Sequence, residues 1–319
     1  MDVHSVFAGL PTELLCEVFE HAAVADKSTA LALSLVSSWT RQLVDPLLFR
    51  TVALSTSHAV EAFVFALSKK PDAFANSHVK HLGIFALGPV EAIDKVLDAC
   101  KGVDSLACGF SLPGYKHLHG CDTMQALEAP KEQHLLGLSC RDGWDIGLVV
   151  PTVTHLRIHV SSPQTFRSPP ALPGNQNHVV PPGSPSWDSL SYLPALTHLA
   201  VVYQPSKSCP ATSILAPLQN LLAPSGGHPD DAAPRPRLAL VLIQVTGTRS
   251  SATSAAKALN NAVMTQGGDA LRIVAERAPS SAVSQWEQAV RGGRGVWENA
   301  EMMVHQRLAA AKQQLPTAV

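Results

Sequence analysis

Val153-Thr154-His155-Leu156-Arg157-Ile158-His159-Val160 alternates apolar and polar side chains, the two-residue period of a strand with one buried face. Leu156, Ile158 and Val160 point to one side of such a strand, while His155, Arg157 and His159 share the other. The His-Leu pair recurs at His81-Leu82, His134-Leu135 and His198-Leu199. Each copy is expected to turn its leucine inward and its histidine outward. Strand candidates run over 79–85, 103–108, 133–140, 153–160, 196–203, 238–245 and 270–275. Helical periodicity marks 58–67, where Val60, Val64 and Leu67 align, and 90–100, where Val90, Ile93, Leu97 and Cys100 align. Further helix candidates are 213–222, 253–264, 282–290 and 296–311.

With Leu82, Leu106, Leu135, Leu156, Leu199, Leu240 and Leu271 as equivalents, the spacings are 24, 29, 21, 43, 41 and 31 residues. The first three are similar to the period of about 20–29 residues in leucine-rich repeats. The expected architecture is therefore α/β: an irregular leucine-rich-repeat-like domain over 52–280, with C-terminal helices over 281–319. A compact α/β domain is the alternative. The two longest spacings enclose tracts rich in proline, serine and glycine, 161–186 and 223–237, which read as disordered insertions.

Of the 319 residues, 46% are hydrophobic and 15% charged, enough apolar side chain for a sizeable core in one large or two modest domains. The net charge of −1 offers no electrostatic case for nucleic acid or an anionic membrane. The longest aliphatic run, 238–243, is far shorter than the roughly 20 residues that span a bilayer. Residues 1–8 carry an acid at position 2 and no basic or apolar region of a signal peptide. The expected location is cytoplasmic or nuclear, with the scattered Cys16, Cys100, Cys108, Cys121, Cys140 and Cys209 as reduced thiols.

Near the N-terminus, Leu14, Leu15, Val18, Phe19 and Ala22 fall on one helical face, with Pro11 suited to the first turn. Asp26 and Ser28 offer caps for a second helix over 29–36, and Leu35, Trp39, Leu43 and Leu47 extend an apolar stripe. Three short helices in about forty residues bury little core, so their apolar faces call for a partner.

Leu10-Pro11-Thr12-Glu13-Leu14-Leu15-Cys16-Glu17-Val18-Phe19, then Ser34-Leu35-Val36-Ser37-Ser38-Trp39 and Pro46-Leu47-Leu48-Phe49-Arg50, resembles an F-box over 9–51. That resemblance implies a helical module that docks a substrate receptor onto the Skp-type adaptor of a cullin ubiquitin ligase. It further implies that Leu10, Pro11, Leu14, Leu15, Val18 and Phe19 contact the adaptor, with Val36 and Trp39 in or beside that surface. An ordinary three-helix cap on a larger domain is the alternative reading of the same residues.

No Gly-x-Ser-x-Gly elbow, Walker loop or dinucleotide-binding fingerprint occurs. Gly292-Gly293-Arg294-Gly295 lies between two helix candidates and reads as a break. His117-Leu118-His119-Gly120-Cys121-Asp122 holds metal-capable side chains but lacks a second ligand pair at zinc spacing. Neither cofactor nor metal is expected. Repeat arrays bind partners on the open face of the sheet, which makes His155, Arg157, His159 and His198 the candidate contacts for an unknown protein target. The expected function is a non-enzymatic substrate receptor. A scaffold without a ligase partner is the alternative, and a divergent α/β enzyme is a third.

Overall fold

The computed structural model describes residues 10–86, 88–109, 130–136, 149–160, 187, 190, 193–223 and 237–314. Three helices open the chain: α1 (Thr12–Ala25), α2 (Lys27–Val36) and α3 (Ser38–Arg50). Asp26 caps α2 by accepting from Thr29 N–H at 2.9 Å, as expected of a side-chain oxygen that satisfies a free first-turn donor. Ser37 and Thr40 form a reciprocal capping box at the start of α3. Ser37 has extended backbone, so the anticipated stripe from Leu35 to Leu47 is broken there: Leu35 belongs to α2 and Trp39 to α3.

The strands β1 (Thr51–Leu54), β2 (His81–Ile84), β3 (Ser105–Cys108), β4 (Glu132–Leu135), β5 (His155–Val160), β6 (His198–Tyr203), β7 (Leu240–Val245) and β8 (Ile273–Arg277) form one sheet. Every pairing is parallel and the spatial order is the sequence order. The sequence anticipated seven of them. It missed β1, which follows α3 without a linker and is only four residues long. Helices α4 (Ser57–Leu67), α5 (Phe74–His78), α6 (Val90–Ala99), α7 (Leu215–Leu222) and α8 (Arg249–Gln266) lie between strands, and α9 (Ala282–Val290) and α10 (Glu298–Gln314) follow the last one.

One face of the sheet, here the back, builds the main core. Leu82, Leu106, Leu156, Leu199, Val241 and Ile273 are aligned in register and fully buried. They pack with Val60 and Phe63 of α4, Ile93 and Leu97 of α6, Leu218 of α7 and Leu259 of α8. Such stacking is how repeats hide faces that none could bury alone. Three of the seven proposed equivalents fall outside this row. Gln133, not Leu135, stands between Leu106 and Leu156, and its side-chain oxygen accepts from Val150 N–H at 3.4 Å. Leu240 pairs with His198 and faces the front, because Val241 occupies the leucine row. Leu271 falls in a 3-10 turn before β8. Adjacent apolar residues in Leu238–Val245 satisfy either register, so alternation gives no signal there.

The tracts 161–186 and 224–236, and the candidate metal loop 117–122, lie outside the described residues. Cys16, Cys100, Cys108 and Cys209 are free thiols, whereas Cys121 and Cys140 are also outside. Among the described residues, no helix is long and apolar enough to cross a membrane.

Candidate functional site

The first candidate surface is the N-terminal helical module. Its own core is small, Ala23, Ala30 and Val44 with Leu33, Leu47 and Leu48 packed around them. That leaves Leu14 and Val18 exposed on one face of α1, with Leu10 exposed just before its N-cap. On α2, Leu31 is exposed, Leu35 is 78% exposed and Val36 is 70% exposed. Phe19 meets Trp39 edge-on, with ring centroids 5.9 Å apart. Of the residues singled out from the F-box resemblance, Leu10, Pro11, Leu14, Val18, Val36 and Trp39 are exposed; Leu15 and Phe19 are half-buried. The module is anchored to α4, α5 and the loop between them by Phe49, which packs against Phe63 and Phe74, and by the Lys70–Asp45 ion pair.

The second is the front of the sheet. His155, Arg157 and His159 do share that face, and His198 lies beside His155 in register. The face is not open, however. The C-terminal segment returns across it: Val296, Trp297, Ala300 and Val304 pack on Ala200, Leu240, Leu242 and Val274. Trp286 donates to Ser105 Oγ at 3.1 Å, and Trp297 donates to Glu132 Oε1 at 2.8 Å. Gly83 makes room for Trp286, since a Cβ there would stand 2.6 Å from its ring. Arg157, on the same face, is 1% exposed, and its guanidinium nitrogens make no hydrogen bond among the described residues. Burial lowers its pKa to about 10, with Glu276 and Glu132 opposing, so it stays a cation at neutral pH. Periodicity identified the shared face; it carries no information about which later segment covers it.

Glu132 is the electrostatic centre. Burial pushes its pKa up, but the adjacent His134 and hydrogen bonds from His134, Trp297 and Ser105 outweigh that and hold it at about 2. His134 Nε2 lies 2.8 Å from Glu132 Oε1. Next to it, His155 and His198 stack with centroids 4.1 Å apart and planes 10° apart. Trp297 meets both rings edge-on, at 5.3 and 5.8 Å. Glu301 Oε1 is 3.1 Å from His198 Nε2. Burial lowers the pKa of His155, His159 and His198 alike. Sequence reasoning missed Glu132, Glu301 and the two tryptophans. The repeated Thr-His-Leu at 154–156 and 197–199 was the available signal for the paired histidines.

A cavity of about 520 Å³ opens between the N-terminal helices and the turn after α9. Its cations, Lys27, Arg50 and Arg291, are all solvent-exposed, and Glu132 lies on its wall.

Comparison with protein-family models, curated proteins and solved structures finds no match for this chain.

Proposed function

We propose that the protein is a substrate-receptor subunit of a Skp–cullin–F-box type ubiquitin ligase, acting inside the cell in cytoplasm or nucleus. Its N-terminal helices dock the adaptor and the repeat-like domain recognises a protein target. The observation that carries this reading is the apolar face left uncovered on α1 and α2, within residues whose order resembles an F-box. Leu10, Leu14, Val18, Leu35 and Val36 expose hydrocarbon that a three-helix module of this size cannot bury by itself. Such a receptor performs no covalent step; it raises the effective concentration of the target near the ubiquitin-charged enzyme.

A charge at the centre of an apolar interface is desolvated without a partner, a penalty of about 2 kcal/mol or more and over tenfold in affinity. Leu14→Asp, on an exposed position, and Leu15→Asp are therefore expected to abolish recovery of the Skp-type adaptor in a pull-down while circular dichroism stays unchanged. Equal recovery by wild type and variants, or recovery by none, overturns the ligase reading and leaves the scaffold.

The enzyme reading would draw on the titratable groups of the front face. They lie beneath α9 and α10, so a substrate would reach Arg157 only after that segment lifted.

A further inference from the structure

We infer that His155, His198 and Glu301 form a binding site for a zinc-like divalent cation, which fastens α10 to the sheet. The inference is independent of the ligase-receptor reading.

The hydroxyls beside the two histidines decide their tautomers. Thr154 Oγ1 donates its single proton to Lys131 C=O at 3.0 Å, so at 2.8 Å from His155 Nδ1 it can only accept. Thr197 repeats the arrangement in the next strand, donating to Thr154 C=O at 3.1 Å and standing 2.8 Å from His198 Nδ1. Both rings thus carry their proton on Nδ1 and offer the Nε2 lone pair. A hydrogen bond at one ring nitrogen that fixes the other as ligand is the usual support of a metal-binding histidine.

The two rings and a carboxylate lie close together, although the rings are stacked only 10° from parallel, so one must turn out of the stack before both lone pairs can meet one ion. One ligand atom from each of His155, His198 and Glu301 lies within 4.8 Å of the other two. His198 Nε2 and Glu301 Oε1, 3.1 Å apart, are two acceptors face to face, which requires positive charge between them. A proton would serve only that pair, and His155 Nε2 has no hydrogen-bond partner among the described residues. A divalent cation serves all three. Ligand atoms about 2.0–2.1 Å from zinc in a tetrahedral shell stand roughly 3.3 Å apart, so Glu301 must close in and one imidazole must rotate out of its stacked plane as the ion binds. Glu301 sits on the solvent side, its side chain 41% exposed, which provides an entry path and leaves the fourth position to water. Two nitrogens and one carboxylate oxygen suit zinc better than calcium or magnesium, which take oxygen shells.

The test uses the full, untagged chain, stripped of metal with a chelator and titrated calorimetrically with zinc. The same titration is run on Glu301→Gln and on the paired His155→Phe, His198→Phe variant, with cobalt absorption as an optical reporter of tetrahedral coordination. Wild type is expected to show one site that the histidine variant lacks and that Glu301→Gln weakens more than about tenfold, and at equal zinc the melting temperature should rise most in wild type and not at all in the histidine variant. Identical titrations of wild type and both variants overturn the inference. If the histidine variant does not fold, Glu301→Gln, altered on an exposed helical surface, decides it alone: unchanged zinc affinity and an unchanged cobalt spectrum overturn it.

Discussion

Gly83 shows how much a single side chain can decide. It lies on the front face of β2 where Phe85 and Trp286 both come within 2.6–2.7 Å of the place a Cβ would take. Gly83→Ala should therefore dislodge the Trp286 ring and lower stability by about 1–3 kcal/mol, the range for forcing extra carbon into a packed site; urea denaturation measures it, and an unchanged midpoint refutes it. Glu132 makes a pH prediction. Its folded pKa, about 2, is below the ordinary 4.5, so its contribution is complete above pH 4.5 and is lost as pH falls through 2. Stability curves of wild type and Glu132→Gln should be separated at pH 6 and should draw together over that window. A constant gap down to pH 2 would show that its charge contributes nothing. Neither residue stood out in the sequence: the importance of Gly83 and Glu132 comes from tryptophans 203 and 165 positions later, beyond the reach of any local pattern.

The last strand illustrates what an element needs beyond its own sequence. β8 is the edge of the sheet, and an unpaired edge invites other strands. Asn260 of α8 stands in for a ninth strand: its amide donates to Ala275 C=O at 2.7 Å and its carbonyl accepts from Ala275 N–H at 3.0 Å. Arg307 of α10 supports the arrangement, donating to Ile273 C=O at 2.6 Å and to Asn260 Oδ1 at 2.7 Å. Asn260→Ala leaves those backbone groups unpaired and should cost about 1–3 kcal/mol, with increased self-association visible by light scattering; wild-type stability and a monodisperse sample would refute the edge role. Elements with their own periodicity were legible: the sequence located α9 to the residue and α4, α6 and most strands within a few positions. β1 was not, being four residues at the end of a helix. Registers failed where apolar residues run consecutively, as in Leu240–Ile243 of β7, since either face of such a run can be buried.

At the scale of the molecule, two kinds of contact hold the fold. Each strand pairs only with its neighbours in sequence, while the C-terminal segment reaches back 181 residues from Trp286 to Ser105 and 165 from Trp297 to Glu132. Removing 282–314 should leave the back-face core and its helices in place but bare Leu240, Leu242 and Val274 on the front. The shortened chain is expected to melt at lower temperature and to bind a hydrophobic dye, with the far-ultraviolet signal of the sheet retained. Unchanged melting and no dye binding would mean that the segment lies on the sheet without stabilising it. The same geometry imposes a schedule on synthesis. A ribosome adding about 5–20 residues per second releases each strand beside the one it pairs with, so the sheet can grow as the chain emerges. Trp286 and Trp297 follow their partners by on the order of 10–40 s. Through that interval the nascent sheet carries its histidines and Arg157 in water, and the charge that ends up buried is stripped of solvent only when the final helices arrive.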